Sequence, residues 1–245
     1  MNTPSEQLNR WFQKPLGQHL LSEEVDVLQQ ILPQLFGYHL LQIGNVGYGG
    51  LLDSSRIMHR CLLSLSANVI DKPYTSLYGS SEALPFANES LDVVVLPHVL
   101  EFEENPHEIL REVERVLIPE GYIVIVGFNP LSFWGLWRWL FARHDAAPWC
   151  GRFLSQLRVK DWLALLGFEL KNYKSFFFAL PFSNNKISFL KKIKIGVAGN
   201  FGAVYVLVAK KRVTTLTLLK SKWRRQPILV PEAEAVGSTP FEENK

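Results

Sequence analysis

Gly79-Ser80-Ser81-Glu82-Ala83-Leu84-Pro85-Phe86, then Ser90-Leu91-Asp92-Val93-Val94-Val95, then Pro106-His107-Glu108-Ile109-Leu110-Arg111-Glu112-Val113-Glu114-Arg115-Val116-Leu117-Ile118-Pro119-Glu120-Gly121 decide the fold. In order they spell a turn, a buried strand, an amphipathic helix and a Pro/Gly stop, which leads into a further strand over residues 122–128. Both strands are continuous and β-branched, as strands covered on two faces must be. Asn105 stands where it can cap the helix, Pro106 suits the first helical position, and Glu108 sits where a capping box places its acid. Ile109, Leu110, Val113, Val116 and Leu117 form the buried stripe, while Glu108 and Glu112 each precede an Arg by three residues on the exposed face. Pro119 disfavours helical geometry at Ile118, and Gly121 allows a sharp turn. The result is a strand, helix, parallel strand unit, whose crossover is right-handed.

Working outward, Leu20, Leu21, Val25, Leu28, Ile31 and Leu32 recur at helical spacing until Pro33 ends the run. The expectation is a helix against the sheet edge, just before a first strand at residues 40–43. That strand runs into a loop with Gly44, Gly47, Gly49 and Gly50, and residues 61–66 and 75–78 are weaker strand candidates. Residues 51–60 leave space for fewer than about three helical turns, and residues 67–74 fall short of a crossover helix. The first half is therefore expected to be abridged. Downstream, residues 131–143 read as an aromatic helix, 160–166 as a short helix closed by Gly167, and 168–173, 175–180 and 203–209 as the last strands.

The chain has 245 residues, 47% of them hydrophobic, enough for a sizeable core. It holds seven Trp and sixteen Phe, with the excess in residues 133–182, which suggests an apolar substrate or interface region. A formal charge of +3 gives no cause to expect nucleic acid as a partner. Cys61 and Cys150 have no metal-ligand spacing, so a reduced protein without a metal is expected. The N-terminus lacks a basic then apolar leader, and no apolar run approaches the roughly 20 residues of a membrane span. These features point to a soluble, cytoplasmic protein. The chain divides into a helical extension (1–35), an α/β domain (36–212) and a flexible tail (213–245), with a solvated basic run from 210 to 225.

Residues 36–45 (Phe-Gly-Tyr-His-Leu-Leu-Gln-Ile-Gly-Asn), Leu84-Pro85-Phe86, Asn105-Pro106-His107 and Gly127-Phe128-Asn129-Pro130-Leu131-Ser132-Phe133 carry a resemblance. With the stretch quoted first, they resemble class I S-adenosylmethionine-dependent methyltransferases of the type-eleven sort. Within these they are similar to the small bacterial YafS type, over residues 10–212. The resemblance implies a doubly wound, mostly parallel seven-stranded sheet with an antiparallel last strand. It also implies a ligand crevice at the carboxyl ends of the strands, where strand order reverses.

In that superfamily the loop after the first strand reads acid-x-Gly-x-Gly-x-Gly, the glycines letting the backbone approach the cofactor. Here Gln42 replaces the acid and Gly44 fits the first glycine, but Val46 and Tyr48 hold the next two positions unless the loop slips to Gly47 and Gly49. A cofactor loop and an ordinary Gly-rich turn both remain open. The second strand ends in Ser66 rather than an acid, and Ser80 stands where an Asp would meet adenine. The resemblance places S-adenosylmethionine against Gly44, Gly47, Ser81 and Glu82, with Leu96 and His98 near the methyl group. His98 is the candidate general base, its imidazole suited to proton transfer near neutrality, or else a structural residue. Glu101 and Glu103 are expected to solvate a loop. Asn129-Pro130 reads as a turn leaving the sheet. The aromatic helix, with Arg138 and Arg143, is a core element or lid, or a weak membrane-surface contact. The function implied is methyl transfer to a small, apolar or aromatic acceptor. The alternative is a noncatalytic binding or regulatory protein that kept the fold and lost the cofactor.

Overall fold

The computed structural model describes residues 4–45, 50–65, 74–140, 147–178 and 201–212. Two helices lead, α1 (Pro4–Phe12) and α2 (Pro15–Ile31), and a 3-10 turn (Leu32–Gln34) follows. Then come β1 (His39–Ile43), β2 (His59–Ser64), β3 (Thr75–Tyr78), β4 (Leu91–Pro97), α3 (Pro106–Val116), β5 (Leu117–Phe128), α4 (Phe133–Leu140), α5 (Gln156–Leu165), β6 (Phe168–Phe176) and β7 (Val204–Lys211). One seven-stranded sheet runs β3-β2-β1-β4-β5-β7-β6. The first five strands are mutually parallel, and β7 is antiparallel to both β5 and β6. Strand order reverses between β1 and β4, as the doubly wound reading requires.

Side chains alternate strictly across the sheet. Leu40, Val93, Val95, Val124 and Val126 enter one core, and Leu41, Ile43, Val94, Leu96, Ile123 and Ile125 enter the other. The second face is covered by Ile109, Leu110, Val113 and Val116 of α3 with Val159 and Leu163 of α5. The first is covered by Leu8, Trp11 and Phe12 of α1, by Leu20, Leu28 and Ile31 of α2, and by Leu51, Leu52 and Ile57 from the connection between β1 and β2. That connection contains no helix among the described residues. The N-terminal pair thus covers a sheet face, not a sheet edge, and supplies most of the described layer on that face.

Several local expectations change. Residues 117–121 do not stop the helix with a turn: β5 begins at Leu117, which pairs with Leu91, and the ladder shifts register before Val93. Glu120 takes a left-handed φ of 66°, so the Pro-Glu-Gly triplet makes an irregularity inside one long strand. Asn105 makes no side-chain cap; its amide donates instead to Glu82 Oε1 at 3.1 Å. Glu108 and Glu112 pair with Arg111 and Arg115, as the spacing predicts. The short helix starts earlier than residue 160, at Gln156, capped by the Ser155 hydroxyl, and residues 168–176 form one strand. Lys211 is not solvated: it is 6% exposed, and its Nζ donates to the Glu114 and Leu117 carbonyls. The expected tail lies outside the described residues.

Candidate active site

At the carboxyl edge of the sheet, the end of β1 faces the end of β4. Gly44 leaves β1 with φ +82°, and a Cβ there would stand 2.8 Å from Val99 Cγ2, so only glycine fits. The buried Gln42, in the position of the expected acid, donates from Nε2 to the Gly44 carbonyl at 2.9 Å. Its amide is therefore engaged in holding the loop. Gly44, Asn45, Pro97, His98 and Val99 form one wall of a crevice, and Ser5, Leu8 and Asn9 of α1 form the opposite wall. Phe102 and Glu103 complete the rim. Burial, with the nearby Glu82 and Glu104 charges, pushes the Glu103 carboxyl up. The crevice is partly open, and its free space amounts to about 20 Å³.

His98 is the most constrained residue here. Its backbone takes a φ of 50°, rare for a residue with a Cβ, and its amide donates to the Val126 carbonyl. Its ring lies 4.2 Å from that of Phe128 and 5.8 Å from that of Phe12. Nε2 lies 2.8 Å from Glu24 Oε1, and Nδ1 lies 3.6 Å from Glu101 Oε1, all within the buried interior. Burial alone would lower the imidazole's proton affinity, but Glu24 and Glu101 together raise its pKa from 6.5 to about 9. His98 is thus an imidazolium between two carboxylates. Glu101 does not solvate a loop: it is 3% exposed, and one of its oxygens accepts the Phe128 amide at 2.6 Å. Tyr205 lies close by, its phenol pushed well above its usual range by burial and by the Glu101 charge.

Of the residues singled out in the sequence, Gly44 and His98 meet in the crevice. Leu96 is wholly buried in the core of the opposite face. Ser81 is buried and Glu82 exposed on the turn after β3, where the Ser80 hydroxyl accepts the Glu82 amide. Gly47 and Ser66 lie outside the described residues. Glu24 and Ser5 went unread. Glu24 left a signal: Leu20, Glu24, Leu28 and Ile31 share one helical stripe, so an acid occupies a core position. Among the described residues no group of three His, Cys, Asp or Glu can hold a metal ion.

A second hollow lies on the same edge, beyond β5. Leu131, Phe133, Leu136, Trp139, Phe178 and Phe201 line an open apolar groove of about 620 Å³. Only Trp134 of α4 is buried, stacked against Phe128 at 6.0 Å. Asn129 anchors the groove's edge, donating to the Gly202 carbonyl and accepting the Leu131 amide.

Residues 52–125 match the family described as "Methyltransferase domain". The chain is 32% identical over 233 residues to the "Uncharacterized protein YafS" of Escherichia coli (strain K12), covering 95% of this chain and 84% of that protein. Among solved structures, an S-adenosylmethionine-dependent methyltransferase of Thermotoga maritima, described as a possible histamine N-methyltransferase, superposes with a TM-score of 0.64. It shares 22% identity over 83% of this chain and 93% of that one. The [4+2]-cyclase SpnF superposes with a TM-score of 0.55 at 15% identity, covering 80% of this chain and 84% of that one. The chain therefore belongs to the YafS-type family and carries the class I S-adenosylmethionine-dependent methyltransferase fold.

Proposed function

We propose that the protein transfers a methyl group from S-adenosylmethionine to a small apolar or aromatic acceptor in the cytoplasm. The observation that carries this is Gly44: a left-handed glycine whose missing Cβ opens the backbone at the switch point between β1 and β4. That is where a doubly wound sheet takes its ligand. When bound, the cofactor supplies a sulfonium-activated methyl group to an in-line displacement, which needs alignment and desolvation rather than a covalent enzyme intermediate. Gly44 and Gly47 would flank the methionine portion, and the turn at Ser81 and Glu82 the adenosine. Gln42 keeps the Gly44 carbonyl fixed. His98, with Glu101 at 3.6 Å, brings a buried polar pair to the crevice wall. His98 holds its proton at neutrality while Glu24 faces it, so its role as a base begins only where that contact is broken. The apolar groove beside Pro130 supports an apolar acceptor, and it also suits a weak contact with a membrane surface. No helix among the described residues is long and apolar enough to cross a membrane.

A second reading is a noncatalytic binding protein of the same fold. It is favoured by Gln42, engaged with its own loop where an acid is expected, and by the narrow crevice. The fold itself hosts more than one chemistry, SpnF being a cyclase. Calorimetric titration with S-adenosylmethionine and S-adenosylhomocysteine separates the two readings. Saturable binding that Gly44→Val abolishes supports the enzyme, and absence of binding at millimolar ligand leaves the noncatalytic reading. Vesicle co-sedimentation lost on Trp139→Glu would support the membrane contact.

A further inference from the structure

We propose that α1 and the first turns of α2 form a lid over the crevice, and that the Glu24–His98 ion pair is its latch: a ligand reaches Gly44 only when the arm lifts. The ligand's identity rests on the cofactor reading above, but the latch does not.

Space is the first argument. With the arm down, Ser5, Leu8 and Asn9 close the crevice to about 20 Å³, room for about one water. Pockets for small-molecule and cofactor ligands run from about 300 to 1,000 Å³. The wall built from β1 and β4 belongs to the sheet core, so among the described residues the α1 wall is the one that can retreat.

The second argument concerns what holds the arm. Trp11 meets Phe128 and Trp134 edge-on, at 6.4 and 5.8 Å between ring centres. Gly17 lets the two helices touch closely: a Cβ there would lie 2.6 Å from Phe12 Cα. α1 and the start of α2 therefore move as one piece, and Glu24, in the middle of α2, moves with the crevice wall. Val27, Leu28 and Ile31 at the far end of α2 stay buried in the core and serve as the pivot. The α2 axis is about 25 Å long, so a small tilt at that pivot shifts α1 by several ångströms.

The third is that the latch is poised rather than fully satisfied. Glu24 Oε2 is buried without a hydrogen-bond partner, and His98 Nδ1 is 3.6 Å from Glu101, beyond a hydrogen bond. A buried ion pair with lone pairs left over returns less than its desolvation cost would require. The charged groups facing His98 are Glu24 from α2 and Glu101 from the turn after β4, while α1 and β5 present the rings of Phe12 and Phe128. A nine-residue helix such as α1 has little stability of its own.

Hydrogen exchange and calorimetry on the full chain test this, using Glu24→Gln, with Glu23→Gln on the exposed side of the same helix as control. S-adenosylhomocysteine is the probe, because its neutral sulfur does not respond to the loss of a carboxylate charge. Glu24→Gln should speed exchange in residues 4–24 about tenfold, leave β4 and β5 unchanged, and tighten the apparent dissociation constant several-fold. The tightening follows because a larger share of molecules is competent to bind. Glu23→Gln should do neither. In the unaltered protein, adding the probe should change protection in residues 4–12. Unchanged exchange in residues 4–24 of Glu24→Gln overturns the latch. So does a loosened arm when the unaltered protein binds the probe and Glu24→Gln binds it equally or more weakly. If the probe binds neither protein while exchange rises as expected, the latch stands and the cofactor reading falls.

Discussion

The two faces of the sheet are covered in different ways. One carries α3 and α5, threaded between strands and held at both ends by the chain, with an unbroken aliphatic interface. The other carries the N-terminal pair, which precedes β1 and is not threaded between strands, with a histidine and a carboxylate buried beneath it. The first covering is permanent, because removing it would unthread the sheet. The second can lift while every strand stays in register. Binding sites need both properties close together, and here they meet at β4: Leu96 points into the fixed face and His98 lies under the adjustable one.

The largest effects should come from the fixed face. Ile109→Ala empties a fully buried position of α3 and should cost about 2–5 kcal/mol, read from urea unfolding. A loss near zero would mean that α3 is not the structural side. Gly44→Val comes next. It forces a Cβ into a left-handed backbone and into contact with Val99, costing about 1–2 kcal/mol from conformation alone. It should also abolish ligand binding, and retained binding would remove Gly44 from the site. On the adjustable face the contribution depends on pH. Because folding raises the His98 pKa from 6.5 to about 9, the stabilisation is complete below pH 6.5 and fades as pH climbs to about 9. Melting temperatures across that window should fall in the unaltered protein and fall less in His98→Gln; equal slopes would show that His98 is not charged under the arm. The smallest effect belongs to the exposed cluster in which Glu120 faces Lys210 and Arg212. Glu120→Gln should shift the melting temperature slightly at low salt and not at all at high salt.

The fixed face was legible in the sequence because its information is local. The alternation of β4 and the stripe Ile109, Leu110, Val113, Val116 each lie within a dozen residues, and both the helix and its strand neighbours follow from them. The start of β5 was not legible, since Pro119 and Gly121 say turn in isolation and the pairing of Leu117 with Leu91 overrides them. Residues 1–35 read as a helical extension, but the bounds of α1 were not legible, because nine residues carry too short a pattern, although Leu8, Trp11 and Phe12 are all buried. The candidate site was half legible. Gly44 and His98 announce themselves by type and place, whereas Glu24 gains its meaning from a partner 74 residues away. Glu101 looked like a surface acid beside Glu103, until the Phe128 amide and the His98 ring claimed it. The aromatic helix divides: Trp134 is core and Trp139 is 79% exposed, a distinction that composition alone does not draw.

The contact between Trp11 and Phe128 also sets a timetable. The arm is made first, but its docking surface is complete only when β5 has emerged more than a hundred residues later. At ribosomal speeds of about 5–20 residues per second, that is a wait on the order of 6–23 seconds. Throughout it, Leu8, Trp11 and Phe12 have no core to enter, and Glu24 has no histidine. Until then Glu24 puts an acid in the middle of an apolar stripe, the kind of residue that disfavours association with a wrong partner.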